Sequence, residues 1–263
     1  MKVLIFMTQF YRLCGAERLA VELVEELVTQ GVDVHLLTMY SDSDLRVKKA
    51  SVELKEQGVK NIHFLDLEVG SGLKDIVLAV FRLRKLLKVE RFDVIETSSV
   101  PTSTIAAFAT MNTKVRLYSG IHQVFIKDID NGIKHKLWRF AFWLNRNVHF
   151  YAISKFVKQA WLEYSGINQS RVTTVYNSVC QDCFTLESNK AALSRVTDVD
   201  TSSRILVYVG RLAEYKGVEV LLDAVGSILV SENLQLLYIG EPDLYISGTA
   251  ETLSRMKTKS ENN

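Results

Sequence analysis

The 263-residue chain lacks any run of about eighteen consecutive apolar residues, so no transmembrane helix is expected in it. Its three cysteines, Cys14, Cys180 and Cys183, make no disulfide framework, and a reducing cytoplasm is the expected setting. Cys180 and Cys183 form a single C-x-x-C. A zinc site would need two further ligands, and a thioredoxin-like pair belongs near an early strand–helix junction, so the spacing reads as chance. Charge of one sign is also lacking. Thirty-two Lys and Arg face thirty Asp and Glu, and a net charge of +2 gives no global attraction to nucleic acid. Repeats and low-complexity tracts are absent. None of the five histidines stands at a metal-like spacing from a partner, so no metal is expected. The opening MKVLIFMTQF has a charge and an apolar stretch but no convincing cleavage site, and it reads as a first strand, not a signal peptide.

What remains is 48% hydrophobic and 24% charged, the composition of a globular protein with room for one large domain or one and a half ordinary ones. Short β-rich runs alternate with segments of helical period. Lys2–Met7 predicts a central parallel strand, followed after Gly15 by a helix closed at Gly31, with Leu19, Leu23, Val24 and Leu27 as its apolar face. Val32–Thr38 then predicts a second strand, which opens a doubly wound α/β sheet. The turn before the helix holds one glycine where a dinucleotide site has G-x-G-x-x-G, which argues against a nucleotide-dependent dehydrogenase. A loop and surface helix are expected over 41–60, strands at Asn61–Leu65, Asp93–Thr97, Lys114–Ser119, Val148–Ile153 and Arg171–Tyr176, and helices between them. The helix at Lys74–Lys88 has Ile76, Val77, Val80, Leu83 and Leu87 as its apolar side. Ser154 is placed to cap the helix that follows it. Residues 185–203, polar with few apolar anchors, read as a linker between a domain at 1–184 and a second at 204–263.

The second domain opens with RILVYVGRLAEYKGVEVLLDA, residues 204–224. Ile205–Gly210 predicts a buried strand ending in glycine, and an amphipathic helix begins near Lys216 with Val218, Leu221, Leu222 and Val225 on one face. Arg211 and Lys216 thus fall between a strand's carboxyl end and a helix start. Ligands of open α/β sheets bind there, and the helix N-terminus favours an anion. Arg offers a planar fork to phosphate oxygens and Lys a mobile point charge. The plainer alternative is two solvated cations on a surface loop.

The G-R-L-x-x-x-K-G pattern resembles the second domain of family 4 retaining glycosyltransferases, which have the GT-B fold. The resemblance implies a nucleotide-sugar donor whose diphosphate lies on Arg211, Lys216 and the adjoining Gly210. No metal or other cofactor is implied. Gly15-Ala16-Glu17-Arg18 resembles the family's G-G-A-E-R, with Cys14 in place of the first glycine, which gives Gly15 and Glu17 a place on the acceptor side. The plainer readings are a tight turn for Gly15 and a dipole partner for Glu17. His122, just past a strand end, matches a histidine that lies beside the donor sugar in the family, whereas a histidine taken alone is more often structural. The passage ending in Asn177-Ser178-Val179 resembles the family's N-G-V, with serine replacing glycine.

Other features of the family are missing. After Lys216 no two glutamates stand eight residues apart, so the E-x-x-x-x-x-x-x-E motif is absent, and the second domain reads as truncated. The resemblance implies transfer to a glycan or lipid-linked acceptor, in cell-envelope polysaccharide synthesis. Two rivals stand beside it: a non-catalytic remnant or binding module, and another enzyme on two Rossmann-like domains, such as a sugar epimerase. The basic stretch around Lys74–Arg91 and the aromatic, basic helix Lys134–Arg146 each have two readings. One is an ordinary helix, solvated or packed on the sheet; the other is peripheral contact with an anionic membrane.

Overall fold

The structure, a computed structural model, describes residues 1–10, 15–41, 45–67, 72–126, 129–130, 132–178, 197, 199–200, 202–240, 251–252 and 254–256. Cys14, Cys180 and Cys183 lie outside the described residues, as do most of the expected linker, the turn at Glu241–Pro242 and the end of the tail. The chain divides into two compact units, Met1–Ser178 and Val179–Asn263.

The first unit is built on seven strands: β1 (Lys2–Met7), β2 (Asp33–Tyr40), β3 (Asn61–Leu67), β4 (Val94–Thr97), β5 (Arg116–Ile121), β6 (Val148–Ala152) and β7 (Val172–Thr174). All pair in parallel in the order β3-β2-β1-β4-β5-β6-β7, so the winding reverses between β1 and β4. Side-chain alternation sends Leu4, Phe6 and Leu37 to one face and Val3, Ile5, Val34 and Leu36 to the other.

The helices divide unequally between those faces. On the Leu4 side lie α3 (Leu73–Glu90), α4 (Val100–Ala109), α5 (Ile133–Leu144) and α6 (Lys155–Ser165). The Ile5 side carries α1 (Gly15–Thr29) and α2 (Leu45–Glu56). Helix α4 is buried nearly all round because Thr102, Ser103, Thr104, Ala106 and Ala107 are small enough to be enclosed beside α3 and α5. Its hydroxyls are satisfied: Ser103 Oγ lies 2.9 Å from both Thr97 Oγ1 and Ser119 Oγ, and Thr104 donates to the Val100 carbonyl. As expected, Ser154 caps α6, accepting from the Val157 amide at 3.1 Å.

Two helix readings need correction. Val77 of α3 is 55% exposed, while Ala79, Leu83 and Leu87 face the core. The segment 41–60 is more than a surface helix, since Val47 and Leu54 of α2 are buried. In α5, Trp138 and Phe142 are buried and Trp143 is 69% exposed.

The second unit pairs β8 (Arg204–Val209) with β9 (Leu234–Ile239) in parallel through α7 (Val218–Ser231). Leu212, Val218 and Met256 form its small core, with Tyr208 and Tyr238 packed against them.

Candidate functional site

In an open sheet, ligands bind beyond the carboxyl ends of the strands where the winding reverses. At that point Thr8 Oγ1, after β1, lies 3.0 Å from Ser99 Oγ, after β4, and Ser99 also caps α4. Gly15 is the first residue of α1, and Glu17 is in its first turn. Glu17 lines a small cleft with Thr8, Ala16, Ser98 and Ser99. Ala16 and Ser98 also border a cavity of about 770 Å³ that runs along the Ile5 side of the sheet beneath β4–β7. His122 lines this larger cavity, so the structure brings the Gly15–Glu17 turn and His122 to adjoining spaces.

The floor below His122 is polar. Glu96 projects from β4 and is 6% exposed. Its Oε1 accepts from the Tyr151 hydroxyl and from Ser98 Oγ, each at 2.6 Å. Burial pushes the Glu96 carboxyl upward, although both hydrogen bonds act the other way. Tyr151 is also pushed up, first by burial and then by Glu96. The Tyr151 and His122 rings meet edge to face at 5.8 Å. Burial lowers the His122 pKa, so its imidazole is neutral near pH 7, and Nε2 is buried without a partner among the described residues. Between these two rings lies Gly120. A Cβ there would stand 2.5 Å from both His122 Nε2 and the Tyr151 oxygen.

Glu96, Tyr151 and Gly120 were not singled out from the sequence as site residues. An acid inside the short strand Val94–Thr97 was the available signal, because a buried strand has no place for an unsatisfied carboxylate.

In the second unit, β8 ends at Val209 and Gly210 follows. A Cβ on Gly240, after β9, would collide with the Gly210 carbonyl oxygen, so the two strand ends converge only with glycine there. Leu212 and Ala213 are buried and anchor the loop. A 3-10 turn at Glu214–Lys216 leads to Gly217, whose φ of 69° is left-handed. Helix α7 begins there without a side-chain cap, and a helix amino end favours an anion. The Arg211 guanidinium and the Lys216 ammonium lie 5.9 and 5.5 Å from the centroid of the Tyr215 ring, so one aromatic gathers both cations. Gly210, Arg211 and Lys216 are thus clustered at the carboxyl end of β8 and the amino end of α7. Among the described residues no group of three or more His, Cys, Asp or Glu side chains could hold a metal.

Comparison with known proteins places this geometry. A glycosyltransferase from Rickettsia africae superposes with a TM-score of 0.74 at 20% identity, covering 99% of this chain and 65% of that one. Anabaena HepE, solved with UDP and glucose, gives 0.73 at 14% identity, covering 98% of this chain and 66% of HepE. The chain therefore has the fold of GT-B glycosyltransferases and spans about two thirds of the length of these structures. A segment of 80 residues, 28% of this chain, is 35% identical to 3% of the cell wall alpha-1,3-glucan synthase mok12 of Schizosaccharomyces pombe. The sequence model of Glycosyltransferase Family 4 matches residues 14–182, which hold the turn at Gly15, the strand ends around the polar floor and His122 itself: the chain belongs to that family.

Proposed function

We propose that the protein transfers a sugar from a nucleoside-diphosphate sugar to a hydroxyl of a glycan or lipid-linked acceptor, with retention of anomeric configuration. The carrying observation is the pair Arg211 and Lys216 about Tyr215, beside the uncapped start of α7. Fixed cations and helix amides suit a diphosphate, and they stabilise it as a leaving group without requiring a metal. The UDP and glucose bound to HepE support a nucleotide-sugar donor.

On this reading His122 and the Gly15–Glu17 turn face the sugar and its acceptor. The setting we infer is envelope polysaccharide synthesis at the cytoplasmic side of a membrane. No helix among the described residues is long and apolar enough to cross a bilayer. Peripheral contact is supported by α5, which has no acidic residue and exposes Ile133, Phe140 and Trp143 beside Lys136.

The donor reading is tested by thermal-shift titration of the chain with UDP, GDP, ADP and NAD. One nucleoside diphosphate should raise Tm, and Arg211→Ala should abolish the rise. A folded chain indifferent to all four would support the second reading, a non-catalytic binding module.

A further inference from the structure

Parallel sheets occur almost only with both faces covered, because their strands are apolar on each side. Here one stretch is left open. Helices α3, α4, α5 and α6 cover the Leu4 side, while α1 and α2 pack on the Ile5 side against β1, β2 and β3 and reach only Val94 of β4. Among the described residues no helix covers the Ile5 side of β4–β7, and the cavity of about 770 Å³ runs there. It reaches from Ala16 and Ser98, at the carboxyl ends of the strands, to Met1, Leu27 and Arg116 at the amino ends. One wall is α1, whose Ala16, Leu19, Ala20, Leu23 and Leu27 line it as a single stripe at helical spacing. The floor holds Val94, Glu96, Tyr118 and Tyr151, set side by side by the β4-β5-β6 register. Beyond them Val175 and Tyr176 are 50% and 62% exposed. One atom of this floor lacks a partner among the described residues: Glu96 Oε2 is buried, while Tyr151 and Ser98 both donate to Oε1.

We propose that the open face of β4–β7 seats an amphipathic helix of a partner chain, lying beside α1 with its carboxyl end toward Arg116 and a hydroxyl or carboxamide side chain against Glu96 Oε2. Shape, charge and the free oxygen each select that occupant. Positions i, i+3, i+4, i+7 and i+11 of α1 present the ridges and grooves into which a second helix packs, with about 8–10 Å between axes. A strand the length of β5 spans about 20 Å, which a helix of about thirteen residues covers. Helix α1 runs opposite to the strands. A helix laid beside it in the same sense brings its negative dipole end to the exposed Arg116 and to Arg171, whereas the reverse sense would set the positive end against those cations. The buried oxygen costs free energy unless the occupant supplies a partner. Hydroxyl and carboxamide groups both donate and accept, so they pair with Glu96 as acid or as carboxylate. The chain spans about two thirds of the glycosyltransferases it superposes on, so a helix for this face can lie outside these 263 residues. The seat does not depend on the donor reading.

The probe is a set of stapled helical peptides of about fourteen residues, read by fluorescence anisotropy against the full chain. Each carries leucine at i, i+4, i+7 and i+11 and a central glutamine; one ends in two glutamates, another in two lysines. The acidic-ended peptide should bind several-fold more tightly, and Arg116→Glu should reverse that order. Leu23→Lys, in the wall, and Val175→Lys, in the floor, should each abolish binding; both side chains are partly exposed, so both variants should fold, which a thermal melt checks. A peptide with leucine in place of the glutamine should bind more weakly than its parent to the wild type and to Glu96→Gln, but not to Glu96→Leu.

Absence of binding, equal affinity for the two ends, or binding indifferent to both Leu23→Lys and Val175→Lys overturns the seat. Light scattering on the chain alone separates the other occupant: a dimer that Leu23→Lys dissociates would put a second copy of this chain in the groove and overturn the partner helix.

Discussion

Two histidines at the opposite end of the sheet from His122 show how residue chemistry escapes a sequence pattern. His35 of β2 and His63 of β3 are 28 positions apart, yet Nδ1 of the first lies 2.9 Å from Nε2 of the second, and the rings stack at 5.3 Å. Parallel pairing makes them neighbours: His63 is in register with Leu37, two residues beyond His35. Phe92 closes the pair edge-on, and Lys2, Asp33, Asn61 and Glu90 surround it. Burial lowers both pKa values, with Lys2 adding to the effect and Glu90 opposing it. A lowered histidine pKa means that the folded state binds fewer protons than the unfolded chain in the window below about 6.5. Stability should therefore be fully present above that value and decline as pH falls through the folded pKa. Thermal melts between pH 7.5 and pH 5.5 should show a decline on the order of several degrees, and His63→Gln should flatten it. An equally steep decline in the variant would assign the acid sensitivity elsewhere.

Among the elements, helices α3 and α5 combine what the sequence makes legible with what it does not. Their existence follows from apolar period, and their buried sides, Leu83 and Leu87 or Trp138 and Phe142, follow from the same period. Which further apolar residues are covered does not follow, because that depends on the neighbour. Helix α4 is narrow, being rich in alanine, serine and threonine, and α3 and α5 flank it in one layer. Val77, Leu78 and Phe81 of α3 and Phe140 and Trp143 of α5 are left exposed. Phe140 and Trp143 stack on each other at 6.2 Å in solvent, beside the exposed Lys136 and Arg146. Exposed aromatics among cations, with no acid on the helix, suit an anionic bilayer surface, where each cation adds about 1 kcal/mol. The protein should sediment with phosphatidylglycerol-rich vesicles at low salt and be released at high salt. Trp143→Ser should weaken that binding several-fold without lowering Tm, since the side chain is solvated. Sedimentation insensitive to both salt and Trp143→Ser would sink the reading. The polar floor was less legible still: Glu96, Gly120 and Tyr151 come from three strands, and only the β4-β5-β6 register puts them side by side.

At the scale of the whole molecule the two units differ in how far they satisfy themselves. In Met1–Ser178, seven strands have a large core on each face, built from apolar strand interiors such as Leu4, Phe6, Val3 and Ile5 and the helices over them. Its polar atoms are mostly paired within it, as with Asn145, which donates to the Ala107 carbonyl and to Thr110 Oγ1. Arg171 likewise reaches the Val148 and Asn145 carbonyls and ties β7 to the end of α5. The described part of the second unit has two strands and a small set of buried apolar residues, Leu212, Ala213, Val218, Leu222 and Met256, and it leaves Val207 47%, Val209 73%, Val220 71% and Ile239 47% exposed. Among the described residues, two paired strands and a helix bury little apolar surface to set against the entropy of ordering them. A protein ending at Ser178 should therefore unfold in one cooperative transition, with a Tm within a few degrees of the full chain's. Residues 179–263 expressed alone should show no cooperative transition. If the shorter protein instead melts broadly or not at all, the first unit depends on the second for its stability.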